Sequence, residues 1–154
     1  MSEKKTSGSF QVRDSLGFWV SLMARKIEFD FESHIKKYNV TRTGYVILNC
    51  LHKEDVNSPS GIADFLGIDR AAVSRHLERL EKSGLIFRKR NQDNKRAVTL
   101  GLSKEGGTIL EKLVEGSIAT NQKLSELLTE SEIRQLWKIT SKVVSSDFGT
   151  PENL

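Results

Sequence analysis

SPSGIADFLGIDRAAVSRHLERLEKSGLIFRKRNQDNKRAVTLGL, residues 58–102, decides the fold. Ser58 suits a helix N-cap, and Pro59 sits at a first helical position, where its missing N–H costs nothing. Ile62, Ala63, Phe65 and Leu66 give that short helix an apolar side, and Gly67 ends it. Asp69 caps the next helix, which runs from Arg70 to about Ser83 before Gly84 stops it. Leu85 and Phe87, then Val98, Leu100 and Leu102, alternate as half-buried strands do, with a polar, basic tip between them. The spacing predicts a helix-turn-helix with a β-wing.

The faces of the second helix separate core from surface. At about 100° per residue, Val73, Leu77 and Leu80 share the inward stripe. The other side presents Ala71, Ser74, Arg75 and Glu78, with Arg79 and Lys82 further along. Small residues let a helix approach base edges closely; an arginine can grip a guanine bidentately, and an alanine can meet a thymine methyl. Such residues also make up ordinary solvated helix faces, so the helix alone leaves both readings open. Charge separates them. Residues 69–96 carry nine Lys or Arg against four Asp or Glu, a net +5, whereas the whole chain is +4 and the remainder therefore −1. Positive charge gathered on one motif is what phosphate neutralisation requires.

Two segments, LGIDRAAVSRHLERLEKSGLI (66–86) and RNQDNKRAVTLGLSKEG (90–106), carry a resemblance to the multiple-antibiotic-resistance regulator (MarR) family of bacterial winged helix-turn-helix repressors. Similarity in organisation extends from about residue 12 to 145. The resemblance implies a protein contacting double-stranded DNA through Ser60, Arg70, Ala71, Ser74, Arg75 and Arg79, and through wing residues Lys89, Arg90, Lys95 and Arg96. It also implies that Arg96 enters a minor groove. One position departs from the family: its wing tip usually reads Asp-Arg-Arg or Asp-Lys-Arg, and here Asn94 precedes Lys95 and Arg96.

Outward from this motif the chain is helical. Leu16, Trp19, Met23, Ile27, Phe31, Ile35 and Tyr38 recur at threes and fours, predicting one helix over 12–38. Phe18, Val20, Leu22 and Phe29 widen its apolar face beyond what a small domain covers, and a partner subunit is the natural cover. Thr41 caps a second helix through Tyr45, Ile47, Leu48 and Leu51. Ser103 caps a long helix of roughly 25 residues, with Gly106, Gly107 and Gly116 as weak points. Thr129 and Glu132 form a capping box for the last helix. The expected architecture is mainly α with a small β-wing: one domain over 1–154, with a DNA-binding lobe at 41–102 between dimerisation helices at 12–38 and 104–145. The homodimer rests on excess apolar surface together with the resemblance.

The 154 residues, 29% of them charged, suit one domain with an anionic partner. No apolar run reaches membrane-spanning length, residues 1–8 lack the apolar core of a signal peptide, and one cysteine forms no internal disulfide, so a cytoplasmic location is expected. Cys50, among Leu48 and Leu51, reads as a core residue; the resembling peroxide sensors place their thiol early in the first helix, where this chain has none. His34, His52 and His76 are scattered without metal-ligand spacing, and no nucleophile elbow or phosphate loop suggests an enzyme; no cofactor is expected. Aromatic residues gather on the first two helices, where the family resembles a holder of small aromatic acids. Phe18, Trp19, Tyr38 and Tyr45, with Arg25, His34 and Arg42 as anchors, are the candidates for an aromatic or anionic effector, plain core packing being the alternative. The reading is a repressor released from a pseudo-palindromic operator by such a ligand. A redox- or metal-responsive regulator of the same fold, or a winged-helix protein-interaction module, stands beside it.

Overall fold

A computed structural model describes residues 10–90 and 98–146. Six helices and one hairpin follow in order: α1 (Leu16–Ile35), α2 (Arg42–His52), α3 (Pro59–Leu66), α4 (Arg70–Lys82), β1 (Ile86–Arg90), β2 (Val98–Leu102), α5 (Lys104–Leu127) and α6 (Glu130–Val144). The local stop and start signals act as the residues imply. Thr41, Ser58, Asp69, Ser103 and Thr129 each accept a hydrogen bond from a backbone N–H in the first turn of the helix they cap. Gly67 and Gly84 take the left-handed conformation, at φ 62° and 71°, that closes α3 and α4.

The helix expected over 12–38 is not continuous. A short 3-10 turn, Val12–Asp14, is separated from α1 by an extended Ser15, and a second one, Lys36–Tyr38, ends on a left-handed Asn39 (φ 55°). Asp14 accepts the Gln11 N–H and the Trp19 indole N–H donates to the Arg13 carbonyl, which ties the first turn beside α1 rather than in line with it.

The core forms where α2, α3, α4, α5 and the inner face of the wing meet. Ile47, Leu48, Cys50, Ile62, Val73, Leu77 and Leu113 are buried there. Phe65, assigned above to the apolar side of α3, is instead 52% exposed. The wing corrects a second assignment. Ile86 pairs with Leu102, Phe87 with Gly101 and Arg88 with Leu100. The paired strand begins at Ile86, not Leu85, which shifts the alternation by one residue. Ile86 and Leu100 face the core, and Phe87 is 40% exposed on the outer face. Its ring lies across Gly101, where any Cβ would overlap it.

The α5 glycines are contact points. Gly106, Leu110, Leu113, Gly116 and Thr120 make up its buried stripe. A Cβ at Gly106 would collide with the Leu85 carbonyl, and one at Gly116 would lie 2.8 Å from His34 Cβ. Their missing side chains let α5 approach the α4–β1 turn and α1. By contrast α1 buries only Phe31 and Ile35, and α6 buries nothing. Leu16, Trp19, Val20 and Phe29 on α1, and Trp137, Ile139 and Val144 on α6, are exposed apolar side chains. No helix among the described residues is long and apolar enough to cross a membrane.

Candidate nucleic-acid interface

Two rigid turns aim α4 outward. Asp69 Oδ1 accepts the Ala72 N–H at 2.8 Å, which fixes the first turn just after Gly67 has closed α3. Val73, Leu77 and Leu80 then bury the inner face of the helix in the core. What remains outside is Arg70, Ala71, Ser74, Arg75, Glu78 and Arg79, all exposed. Ser60 is exposed on the first turn of α3, its hydroxyl 3.4 Å from that of Ser58. Among the described residues Arg70, Arg75, Arg79 and Lys89 enter no ion pair with a carboxylate, which leaves their charge available to phosphate. His76 sits between Arg75 and Arg79; burial pushes its pKa down, and the two guanidiniums, Arg79 then Arg75, push it further.

On the outer face of the wing the Lys89 ammonium stands 5.4 Å from the centre of the Phe87 ring. Arg90 is described through its backbone, paired with Val98. Lys95 and Arg96, with Asn94, lie outside the described residues. Arg88, counted above among the basic residues, faces inward opposite Leu100, and its Nε is ion-paired with Glu81 Oε2 at 2.8 Å.

The effector candidates divide between two places. Trp19 and Arg25 line an open apolar groove of about 930 Å³ between α1 and α5, with Phe29, Asp30, Thr120 and Lys123. Phe18 meets Trp19 edge-on, ring centres 5.4 Å apart. Tyr45 packs edge-on against Phe31 at 4.8 Å, Lys37 lies over the Tyr38 ring, and Arg42 is ion-paired with Glu28. Tyr38, Arg42, Tyr45 and His34 therefore do not line the groove that holds Trp19. A second groove of about 490 Å³, lined by Val20, Ile27, Leu136 and Trp137 among others, continues the apolar surface onto α6. Cys50 is fully buried, and burial, reinforced by the nearby Glu54 charge, pushes its thiol pKa up, the wrong direction for a reactive thiolate.

One polar node was not legible in the sequence. Asp30 on α1 accepts from Thr120 Oγ1 at 2.8 Å and from the Lys123 ammonium, both on α5 and both some 90 residues away. His34 Nε2 is 3.6 Å from Asp30 Oδ2 and is buried without a hydrogen bond. The Lys123 and then the Thr120 hydrogen bonds hold the Asp30 pKa below its ordinary value. A depressed carboxylate stabilises the fold above its ordinary pKa and loses that contribution as pH falls through the lowered one. Asp30→Asn is therefore expected to lower the melting temperature at pH 7 and to leave it close to wild type at the acid end. An equal deficit at both ends would show that the node acts through shape rather than charge.

The comparisons with known proteins agree with this architecture. The family model described as "MarR family" matches residues 40–98. The transcriptional repressor MdtR of Bacillus subtilis is 27% identical over 136 residues, which cover 88% of each chain. Among solved structures, a mutant MarR from E. coli complexed with operator DNA superposes with a TM-score of 0.77 at 24% identity, over 83% of this chain and 92% of that one. BpsR of Bordetella bronchiseptica, whose structure is described as explaining regulation of its DNA binding by 6-hydroxynicotinic acid, gives a TM-score of 0.83 at 20% identity, over 91% and 100%.

Proposed function

The chain belongs to the MarR family of transcription regulators, and from that premise we propose that it is a homodimeric, DNA-binding repressor. The observation that carries the reading is the outward face of α4: Ala71, Ser74, Arg75 and Arg79, exposed and held between two capped turns, with both arginines free of carboxylates among the described residues. In this reading Arg75 grips a guanine in the major groove and Ala71 meets a thymine methyl. Ser60, Arg70, Ser74 and Arg79 position the helix against the backbone and base edges. Lys89, Arg90 and Lys95 neutralise phosphates beside the groove, and Arg96 takes the minor groove. Residues 41–102 serve as the DNA lobe. Residues 12–38 and 104–145 form the dimer base, in which a second copy covers the apolar faces of α1, α5 and α6.

The effector part of the reading is supported by the α1–α5 groove, where an indole wall and the Arg25 guanidinium suit a hydrophobic anion. BpsR offers a chemical precedent in 6-hydroxynicotinic acid. The groove borders the proposed dimer base, so an occupant would change the spacing of the two α4 helices. Phe18 stands behind Trp19. Tyr38, Tyr45, Arg42 and His34 would act through the α1–α2 and α1–α5 joints rather than by contact.

Arg75→Ala tests the DNA reading. On a duplex selected by the wild-type protein from a randomised library, it should cost about 1–3 kcal/mol and relax preference at one position per half-site, with little change on random duplex. Equal losses on both duplexes would remove Arg75 from base reading.

A further inference from the structure

A wing and a recognition helix address one duplex only if the angle between them is fixed, because the grooves of DNA lie at set positions. The base of this wing is fixed by α5 and by the segment before α3. The Ser103 N–H donates to the Leu85 carbonyl at 3.0 Å, and the Ser103 hydroxyl donates to the Gly84 carbonyl at 2.6 Å. On β2, the Leu100 N–H donates to the Asn57 carbonyl at 2.8 Å. None of these bonds joins the outer part of β1 to α4. Arg88 does, through its ion pair with Glu81, Nε to Oε2 2.8 Å.

Three features set this pair apart from an incidental surface contact. The strand register turns Arg88 to the inner face, opposite Leu100, although its neighbours Phe87 and Lys89 point outward. Glu81 stands in the last turn of α4, where a carboxylate opposes the helix dipole, so helix stability does not account for it. The side chains are 31% and 41% accessible, and solvent screening makes such a pair a weak source of stability.

We infer that Arg88 and Glu81 are positioning residues for DNA recognition: their pair sets the tilt of the wing against α4, so that the wing cations reach the duplex that Arg75 reads. Arg88 is on this account not a phosphate contact. The inference rests on the DNA-binding reading.

The test uses the full chain, with Arg88→Gln, Glu81→Gln and the charge-exchanged double variant Glu81→Arg with Arg88→Glu. Without DNA, amide hydrogen exchange at Phe87–Lys89 should speed up in each single variant and return toward wild type in the double. On the selected duplex each single variant should bind roughly tenfold more weakly, within the range for directly coupled groups. The slope of log affinity against log salt should not change, and the double variant should recover most of the loss. A slope reduced by about one in Arg88→Gln would make Arg88 a phosphate contact and overturn the inference. So would unaffected binding, or a double variant no better than the singles. Failure of the wild-type chain to bind any selected duplex would overturn the DNA-binding reading and this role together, whereas normal wild-type binding with silent variants overturns this role alone.

Discussion

Glutamates placed on the apolar face of α6, at Trp137 and Val144, should give a folded monomer that binds its duplex about 10²- to 10⁴-fold more weakly than wild type. These side chains are 70% and 85% exposed, and α6 buries no residue of its own chain, so the substitutions leave the core untouched. Their cost falls on whatever covers that face. Two linked lobes bind two half-sites with the second event made intramolecular, and losing the link forfeits an avidity of about that size. Removing everything after Leu128 should act in the same direction. Light scattering checks the mass and anisotropy the affinity. A variant that remains dimeric, or a monomer that binds as wild type does, would place the interface elsewhere.

An aromatic carboxylate seated beside Trp19 and Arg25 should weaken duplex binding by up to about 150-fold. The groove there is open and mainly apolar, with Arg25 and Lys26 supplying positive charge, while Lys123 is paired with Asp30. A ligand shifts the protein only by its differential affinity for the two lobe spacings, and typical coupling energies of about 1–3 kcal/mol correspond to 5- to 150-fold. The coupling is reciprocal: saturating duplex must weaken the ligand by the same factor. Trp19 emission in a Trp137→Phe background reports occupancy, and Arg25→Ala should weaken the ligand while leaving ligand-free duplex affinity intact. If a series of benzoates and naphthoates neither alters that emission nor releases DNA, the groove is interface surface alone.

What the sequence showed and what it hid divide along one physical line. Ser58, Asp69, Ser103 and Thr129 cap as expected because a cap is decided within three residues. The inward stripe of α4 was equally legible from helical periodicity. Apart from the exposed Phe65 and the broken ends of the 12–38 helix, the misreadings involve partners distant in sequence or strand parity. Phe87 was counted inward because the alternation was started at Leu85, a turn residue. Gly106 and Gly116 looked like flaws in α5, yet they fall at threes and fours on its buried stripe with Leu110 and Leu113, a pattern that could have marked them as contact points. Arg88 looked like one more basic residue, and only the strand register turns it toward Glu81. The Asp30 node joins helices about 90 residues apart and left no local trace. The aromatic residues of α1 and α2 seemed one cluster, but the length of α1 separates Trp19 from the Tyr38–Tyr45 end.

The most direct test of the whole account is the footprint of the wild-type protein on a duplex selected from a random library. The account predicts two protected patches in two-fold related sequence, centred one helical turn or about 34 Å apart, or a multiple of that spacing, with two chains per duplex and affinity falling steeply with salt. A single protected patch under one chain, or binding with no sequence preference over random duplex, would contradict it.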